Sequence, residues 1–424
     1  TDLEQGAIAD RFELRLSLRR YVEEREIQGS SDPEKVYQRD EVNTLGLGGD
    51  WKRALGERHL LTWGFDLAQD WVDSSASTLD LGSGTSTAGD GAFAPDARYT
   101  SAGVFLQDEM LDMAGWDLTA GLRWSWYGFA FDDFASAGTG GSSDGDFDAV
   151  TASLAAARDL ARGVRLTGSV GQGFRAPNLE DLANESAFAG GTELANPDLE
   201  PEQSLTVQSA IDVTRATWSF SVGAYATFLD DLIGRQLVDQ GDPNVSGDET
   251  WLRANAGKAE IYGSDLVGRL RLGPALSPWS LESRLSWVWG QQYDSTVDPA
   301  TSTQPLYDVP FRRIPPLFGH LGLVWDGAGE RDRVDRADVT VFFAAEQDRL
   351  NPEDVTDPRI DPTATDGWLR VDLNMEGDLG RSASGATARW HAGLPNVFDQ
   401  RYRVHASGLD APGRSLVVGL DVSI

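Results

Sequence analysis

The stretch Leu118-Thr119-Ala120-Gly121-Leu122-Arg123-Trp124-Ser125-Trp126-Tyr127 sets apolar and polar residues in alternation. Successive side chains of an extended chain point to opposite faces. This order therefore predicts a strand with an apolar face of Leu118, Ala120, Leu122, Trp124 and Trp126 and a polar face carrying Arg123. The same period recurs at Phe12-Glu13-Leu14-Arg15-Leu16-Ser17-Leu18 and at Leu61-Thr62-Trp63-Gly64-Phe65-Asp66-Leu67. About sixteen such segments fill the chain, and no comparable helical stretch with caps interrupts them.

The connections between segments alternate in length. Ser75 to Arg98, Arg175 to Glu202, Asp294 to Arg312, Asp348 to Asp366 and Val397 to Arg414 are long; Lys52 to Arg58, Leu111 to Gly115, Arg158 to Gly163 and Thr214 to Thr217 are short. Outer-membrane barrels have this asymmetry, with tight periplasmic turns and long extracellular loops. A soluble propeller or β-helix would show a repeat of fixed period, and none is present. The sequence predicts an all-β, transmembrane antiparallel barrel over residues 1–424. Leu14, Leu16, Trp63, Phe65, Leu118 and Leu122 are expected to face lipid, and Glu13, Arg15, Thr62, Asp66 and Arg123 the lumen. Tryptophans near strand ends, among them Trp71, Trp116, Trp126, Trp218, Trp279 and Trp287, suit the aromatic girdles of such barrels.

Composition agrees. A net charge of -31 over 424 residues argues against a nucleic-acid partner, which needs a broad basic surface. There is no cysteine, and the four histidines are scattered without metal-ligand spacing. No apolar run reaches the roughly 18 residues of a membrane helix, which a barrel does not need.

Two runs carry a resemblance to a known family. Gly171-Gln172-Gly173-Phe174-Arg175-Ala176-Pro177-Asn178-Leu179-Glu180-Asp181-Leu182 is followed by Asn196-Pro197-Asp198-Leu199-Glu200-Pro201-Glu202-Gln203-Ser204. Near the end stands Asn396-Val397-Phe398-Asp399-Gln400-Arg401-Tyr402-Arg403, then Ala411-Pro412-Gly413-Arg414-Ser415. These runs resemble the barrel of TonB-dependent outer-membrane receptors. The resemblance implies a bacterial outer-membrane location and energy-coupled uptake of a scarce ligand such as a ferric siderophore, haem or cobalamin. It also implies a plug, as a domain or a separate chain, that gates the lumen and engages the TonB system. Family barrels have 22 strands, so the plug and roughly six strands are expected to lie outside this chain. The other readings are a structural or partner-binding barrel of an envelope complex and a passive porin, since porin-sized barrels close at about sixteen strands.

Candidate ligand- or plug-facing residues are Arg123, Arg175, Asn178, Arg312 and Arg313. Arg175 with Pro177 and Asn178 equally reads as a strand end, because proline cannot donate to a ladder. Arg312 and Arg313 suit an anion, a lipopolysaccharide phosphate included. The acidic clusters Asp348, Glu353, Asp354, Asp357, Asp361, Asp366 and Asp132, Asp133, Asp144, Asp146 contain ligands of the kind calcium takes, yet lack EF-hand spacing and read as solvated loops. Gly141-Ser142-Ser143-Asp144-Gly145 matches a nucleophile elbow by letter, but no strand-turn-helix context surrounds it. No catalytic residue is expected.

Overall fold

The computed structural model describes residues 9–28, 33–94, 96–132, 142–183, 186–188, 191–194, 196–239, 250–273, 277–293, 308–327, 334–357, 359–381 and 386–423. The strands in chain order are β1 (Arg11–Ile27), β2 (Glu34–Leu55), β3 (His59–Asp80), β4 (Ser86–Asp90), β5 (Ala97–Met113), β6 (Trp116–Asp132), β7 (Ser142–Ala161), β8 (Val164–Arg175), β9 (Ser186–Phe188) and β10 (Gly191–Leu194). There follow β11 (Glu202–Thr214), β12 (Trp218–Asp239), β13 (Thr250–Arg271), β14 (Trp279–Tyr293), β15 (Asp308–Pro310), β16 (Phe318–Asp326), β17 (Arg336–Ala344), β18 (Trp368–Arg381), β19 (Thr387–Leu394) and β20 (Val417–Ser423). Two one-turn helices, α1 (Leu179–Ala183) and α2 (Pro352–Thr356), sit in loops.

The count exceeds the sixteen expected from the sequence. β4, β9, β10 and β15 are three to five residues long, too short to show a period. The remaining strands form the wall, each antiparallel to its neighbours in chain order. Several also overshoot their apolar core. β2 and β3 run for 22 residues each, because charge pairs such as Arg20–Glu41 continue the ladder into water after the alternation ends near Leu18 and Trp71. Asp144 and Asp146 likewise belong to β7, not to a loop; Asp133 lies outside the described residues.

Register assigns the faces. Glu13, Asp50, Gly64, Phe105, Arg123 and Thr151 stand opposite one another across six strands. The adjacent row is Leu14, Gly49, Phe65, Val104, Trp124 and Val150. Directly opposed residues share a face, so the first row belongs to the polar side and the second to the apolar side, as the alternation predicts. Leu14, Val104 and Val150 are 58%, 51% and 60% exposed. An apolar face left this open needs a non-aqueous surround, which for a barrel is lipid. On the polar side Arg15 bonds Asp50, Arg165 bonds Asp117 and Arg336 bonds Glu282.

Outward tryptophans mark the height of the lipid band. Trp116 and Trp124 of β6, and Trp279 and Trp287 of β14, are eight positions apart, the first of each pair being the first residue of its strand. Eight residues of strand cover about 27 Å, or roughly 20 Å of bilayer at the usual ~40° tilt, close to the apolar band of such barrels.

One end carries the tight turns at 56–58, 114–115, 162–163 and 215–217, with a longer connection at 327–335, and the long loops at 176–201, 345–367 and 395–416 gather at the other end. At the two sheet edges, β1 pairs with β2 alone and β20 with β19 alone among the described residues.

Candidate functional site

The long-loop end is built inward over the lumen. The 176–201 loop leaves β8 at Arg175 and turns at once into α1. Asn178 caps that helix: its Oδ1 accepts from the Asp181 amide at 2.9 Å, and Asp181 Oδ2 accepts from the Asn178 amide at 3.1 Å. This is a capping box. The helix sets Leu179 and Leu182 against Phe129, Phe131 and Val72 of the wall, with Ala183 and Leu199 completing a buried apolar cluster. The loop is therefore packed, where the sequence suggested a polar excursion. Tyr99 Oη donates to the Pro177 carbonyl at 2.8 Å and holds the entry.

Ion pairs lock the same loop. Arg175 grips Glu202 with two nitrogens, at 2.6 and 2.9 Å, and reaches Asp181 at 2.6 Å. Arg253 of β13 bonds the other oxygen of Asp181 at 2.6 Å and pairs with Glu193. Asp181 and Glu193 are buried. The two family-like runs thus meet through Arg175 and Glu202: the motif is a clamp across the root of the loop. The sequence supplied Arg175 and Asn178 but not their partners. Asp181 and Glu202 lay inside the quoted runs; Glu193 and Arg253, 60 residues apart, carry no local signal.

Arg312 and Arg313 form a second lock. Arg312 bonds Asp354 at 3.2 Å and Asp357 at 3.1 Å, and Arg313 reaches Asp357 at 2.7 Å. Arg359 adds a further pair to Asp357 at 2.8 Å. Asp354 and Asp357 are buried, so this part of the 345–367 loop is not the solvated acidic segment the composition suggested. Guanidinium groups fill the lone pairs that a cation would use, and no cluster of three or more metal-ligating side chains occurs among the described residues. Asp361, at the loop surface, accepts from the Thr363 amide and hydroxyl, which holds its carboxyl below the ordinary range.

The third in-folded loop is 395–416. Tyr402 stacks on Trp368 with centroids 4.5 Å apart and accepts from Arg370 at 2.7 Å. His405 Nδ1 lies 2.9 Å from Thr365 Oγ1, tying this loop to its neighbour, and burial pushes its pKa below the usual value. It makes no pair with Ser407, whose hydroxyl donates to the Leu409 carbonyl.

Arg123 stands apart, on the polar wall, bonded to Asp66 at 2.8 Å and to Ser125 at 2.8 Å. The structure thus joins Arg175 with Asn178 and Arg312 with Arg313, at separate places. Toward the turn end the lumen wall carries small residues, among them Ala155, Ala157, Thr167, Ser169, Ala210 and Gly223, which leave a recess of about 570 Å³.

A long antiparallel wall with an open apolar outer face, a charged inner face and packed loops at one end is the architecture of an outer-membrane β-barrel. The chain belongs to the TonB dependent receptor-like β-barrel family, whose model matches residues 6–385. It is 29% identical over 120 residues to the vitamin B12 transporter BtuB of Photobacterium profundum, covering 28% of this chain and 18% of that protein. It is 26% identical over 265 residues to an iron-regulated outer membrane virulence protein of Vibrio cholerae, covering 60% and 36%. Among solved structures it superposes on the copper transporter OprC with a TM-score of 0.77 at 16% identity, covering 98% of this chain and 63% of that one. On the ferric citrate transporter FecA the TM-score is 0.70 at 14% identity, covering 97% and 59%. The chain spans less than two thirds of the length of each of these proteins. It is a bacterial outer-membrane protein.

Proposed function

We propose that this chain forms most of the wall of an energy-coupled receptor that imports a scarce ligand: a ferric siderophore, haem or cobalamin. A plug fills the lumen and transmits the pull of the TonB system, and the in-folded loops shape the capture site above it. The observation that carries the reading is the lack of a ladder between β1 and β20 among the described residues. A passive porin of this size would close on itself. Unjoined edges call for further strands, as a 22-strand receptor has. The charged lumen face and the transporters named above support the same choice.

The test uses the full reading frame containing this chain, expressed in an outer-membrane host stripped of its own receptors. Uptake of ferric siderophores, haem and cobalamin is measured with the TonB system intact and deleted, alongside conductance in planar bilayers. TonB-dependent uptake of one class without steady conductance is the expected result. Steady conductance with TonB-independent entry would establish a porin, and neither uptake nor conductance would favour a structural barrel.

A further inference from the structure

Tryptophans at the two ends of the wall have partners of opposite charge. At the long-loop end Trp126 and Trp124 donate their indole N–H to Asp146 at 3.1 Å and Asp148 at 3.3 Å, and the outward Arg20 is bound twice by Glu41. At the turn end two neighbouring girdle tryptophans, Trp116 and Trp218, carry arginines. The Arg158 guanidinium lies 5.4 Å from the Trp116 ring centre and that of Arg215 lies 5.8 Å from Trp218. Arg215 Nη1 also donates to the carbonyls of Arg162 and Gly163 at 3.0 and 2.8 Å, which draws it beneath the neighbouring turn. Three arginines therefore gather on one stretch of rim.

The acids of that rim point elsewhere. Asp117 and Asp159 turn inward to Arg165, at 3.1 and 3.3 Å, and Asp112 faces Arg58 at 3.8 Å. Among the described residues no carboxylate pairs with Arg158, Arg162 or Arg215, in a chain whose net charge is -31. Leu160, in the last residues of β7 beside the turn at 162–163, is 53% exposed. An apolar side chain beside aromatic-stacked, uncompensated arginines fits the boundary between acyl chains and headgroups.

We propose that the rim from Trp116 to Trp218 binds the phosphate of an anionic phospholipid in the periplasmic leaflet. The stacked guanidiniums are pre-oriented for a phosphate fork, and the exposed leucine enters the acyl region. The proposal rests on the membrane placement of the barrel and not on which ligand is transported.

The full-length protein, purified in neutral detergent, is offered phosphatidylcholine vesicles containing graded phosphatidylglycerol, and the lipids it retains are counted by native mass spectrometry. The variants are Arg158→Gln with Arg162→Gln, both to Lys, and the distal control Arg401→Gln, whose side chain is 93% exposed in the last long loop. Arg215 stays, because it supports the turn. Preference for phosphatidylglycerol over phosphatidylcholine should fall about fivefold for each arginine neutralised, fall by less in the lysine pair, which keeps the charge but loses the fork, and stay unchanged in the control. Wild-type preference in the glutamine pair, or an equal loss in the control, overturns the site. A glutamine pair that fails to fold leaves the lysine pair to decide: an intermediate preference supports the site, and wild-type preference overturns it.

Discussion

Arg123 reaches Asp66 only because the strand between them offers no side chain. Asp66, Gly103 and Ser125 are opposite one another in register, and a Cβ built on Gly103 would strike the Arg123 guanidinium. The ion pair itself is half open, with side chains 34% and 49% exposed, so it contributes under about 1 kcal/mol. The guanidinium is the far end of a flexible, part-exposed side chain and can swing aside. Gly103→Val should therefore break the Arg123–Asp66 pair yet cost less than about 1 kcal/mol in a urea melt, as should Arg123→Gln; a loss of several kcal/mol in either would show that the pair is worth more than an open ion pair. His405 offers a second test. Its folded pKa is lowered by burial, so the unfolded chain binds the proton more readily. Its contribution is therefore fully present above the unfolded value near 6.5 and is lost as pH falls below it. In a proton NMR titration the ring signal that disappears in His405→Gln should titrate below 6.5, and titration at or above 6.5 would remove the effect. The polar placement of Arg123 was legible because alternation assigns faces. The burial of His405 was not, since a loop has no period from which to read it.

At the scale of elements the informative case is the 176–201 loop. Its two flanking runs were legible as a pair from sequence, and so was the strand end at Arg175. The fold of the segment between them was not. Its large apolar residues are two, Phe188 and Leu194, and its buried acid Glu193 finds its partner Arg253 on a distant strand. Asp354 and Asp357 were misread for the same reason: an acidic run looks solvated until the arginines of another loop are brought to it. Removing one member of a buried pair leaves the other charge uncompensated and costs about 3–5 kcal/mol, more than the pair is worth against apolar replacements. Arg253→Gln should accordingly free the 176–201 loop while leaving the wall intact. Limited proteolysis of the folded variant should cut within that loop and nowhere in the strands. Resistance equal to the parent would show that the Leu179 and Leu182 cluster holds the loop without the ion pairs. Asp181→Asn should act in the same direction, because Asp181 faces both Arg175 and Arg253.

For the whole molecule the question is closure. Period-two patterning made the long strands visible, but patterning is local and says nothing of whether the first and last meet. The edge at β1 presents 17 residues, and its Phe12 to Leu18 portion lies at lipid depth by the tryptophan spacing. An unpaired backbone group there costs several kcal/mol, and a row of them cannot face acyl chains. Something must pair with β1 and β20: either each other, after a rearrangement of the wall, or further strands. The absence of native cysteine makes this directly testable. Leu16 and Leu47 are opposed in register, so cysteines placed there should crosslink in the outer membrane and serve as the positive control. Cysteine at Leu16 combined with cysteine at Val418, Leu420 or Val422, the outward positions of β20, should give no disulfide in the full-length protein, because intervening strands hold the two edges beyond the ~7 Å limit between Cα atoms. Efficient crosslinking at any of the three would mean that the wall closes on itself, and the receptor reading would yield to a porin-sized barrel.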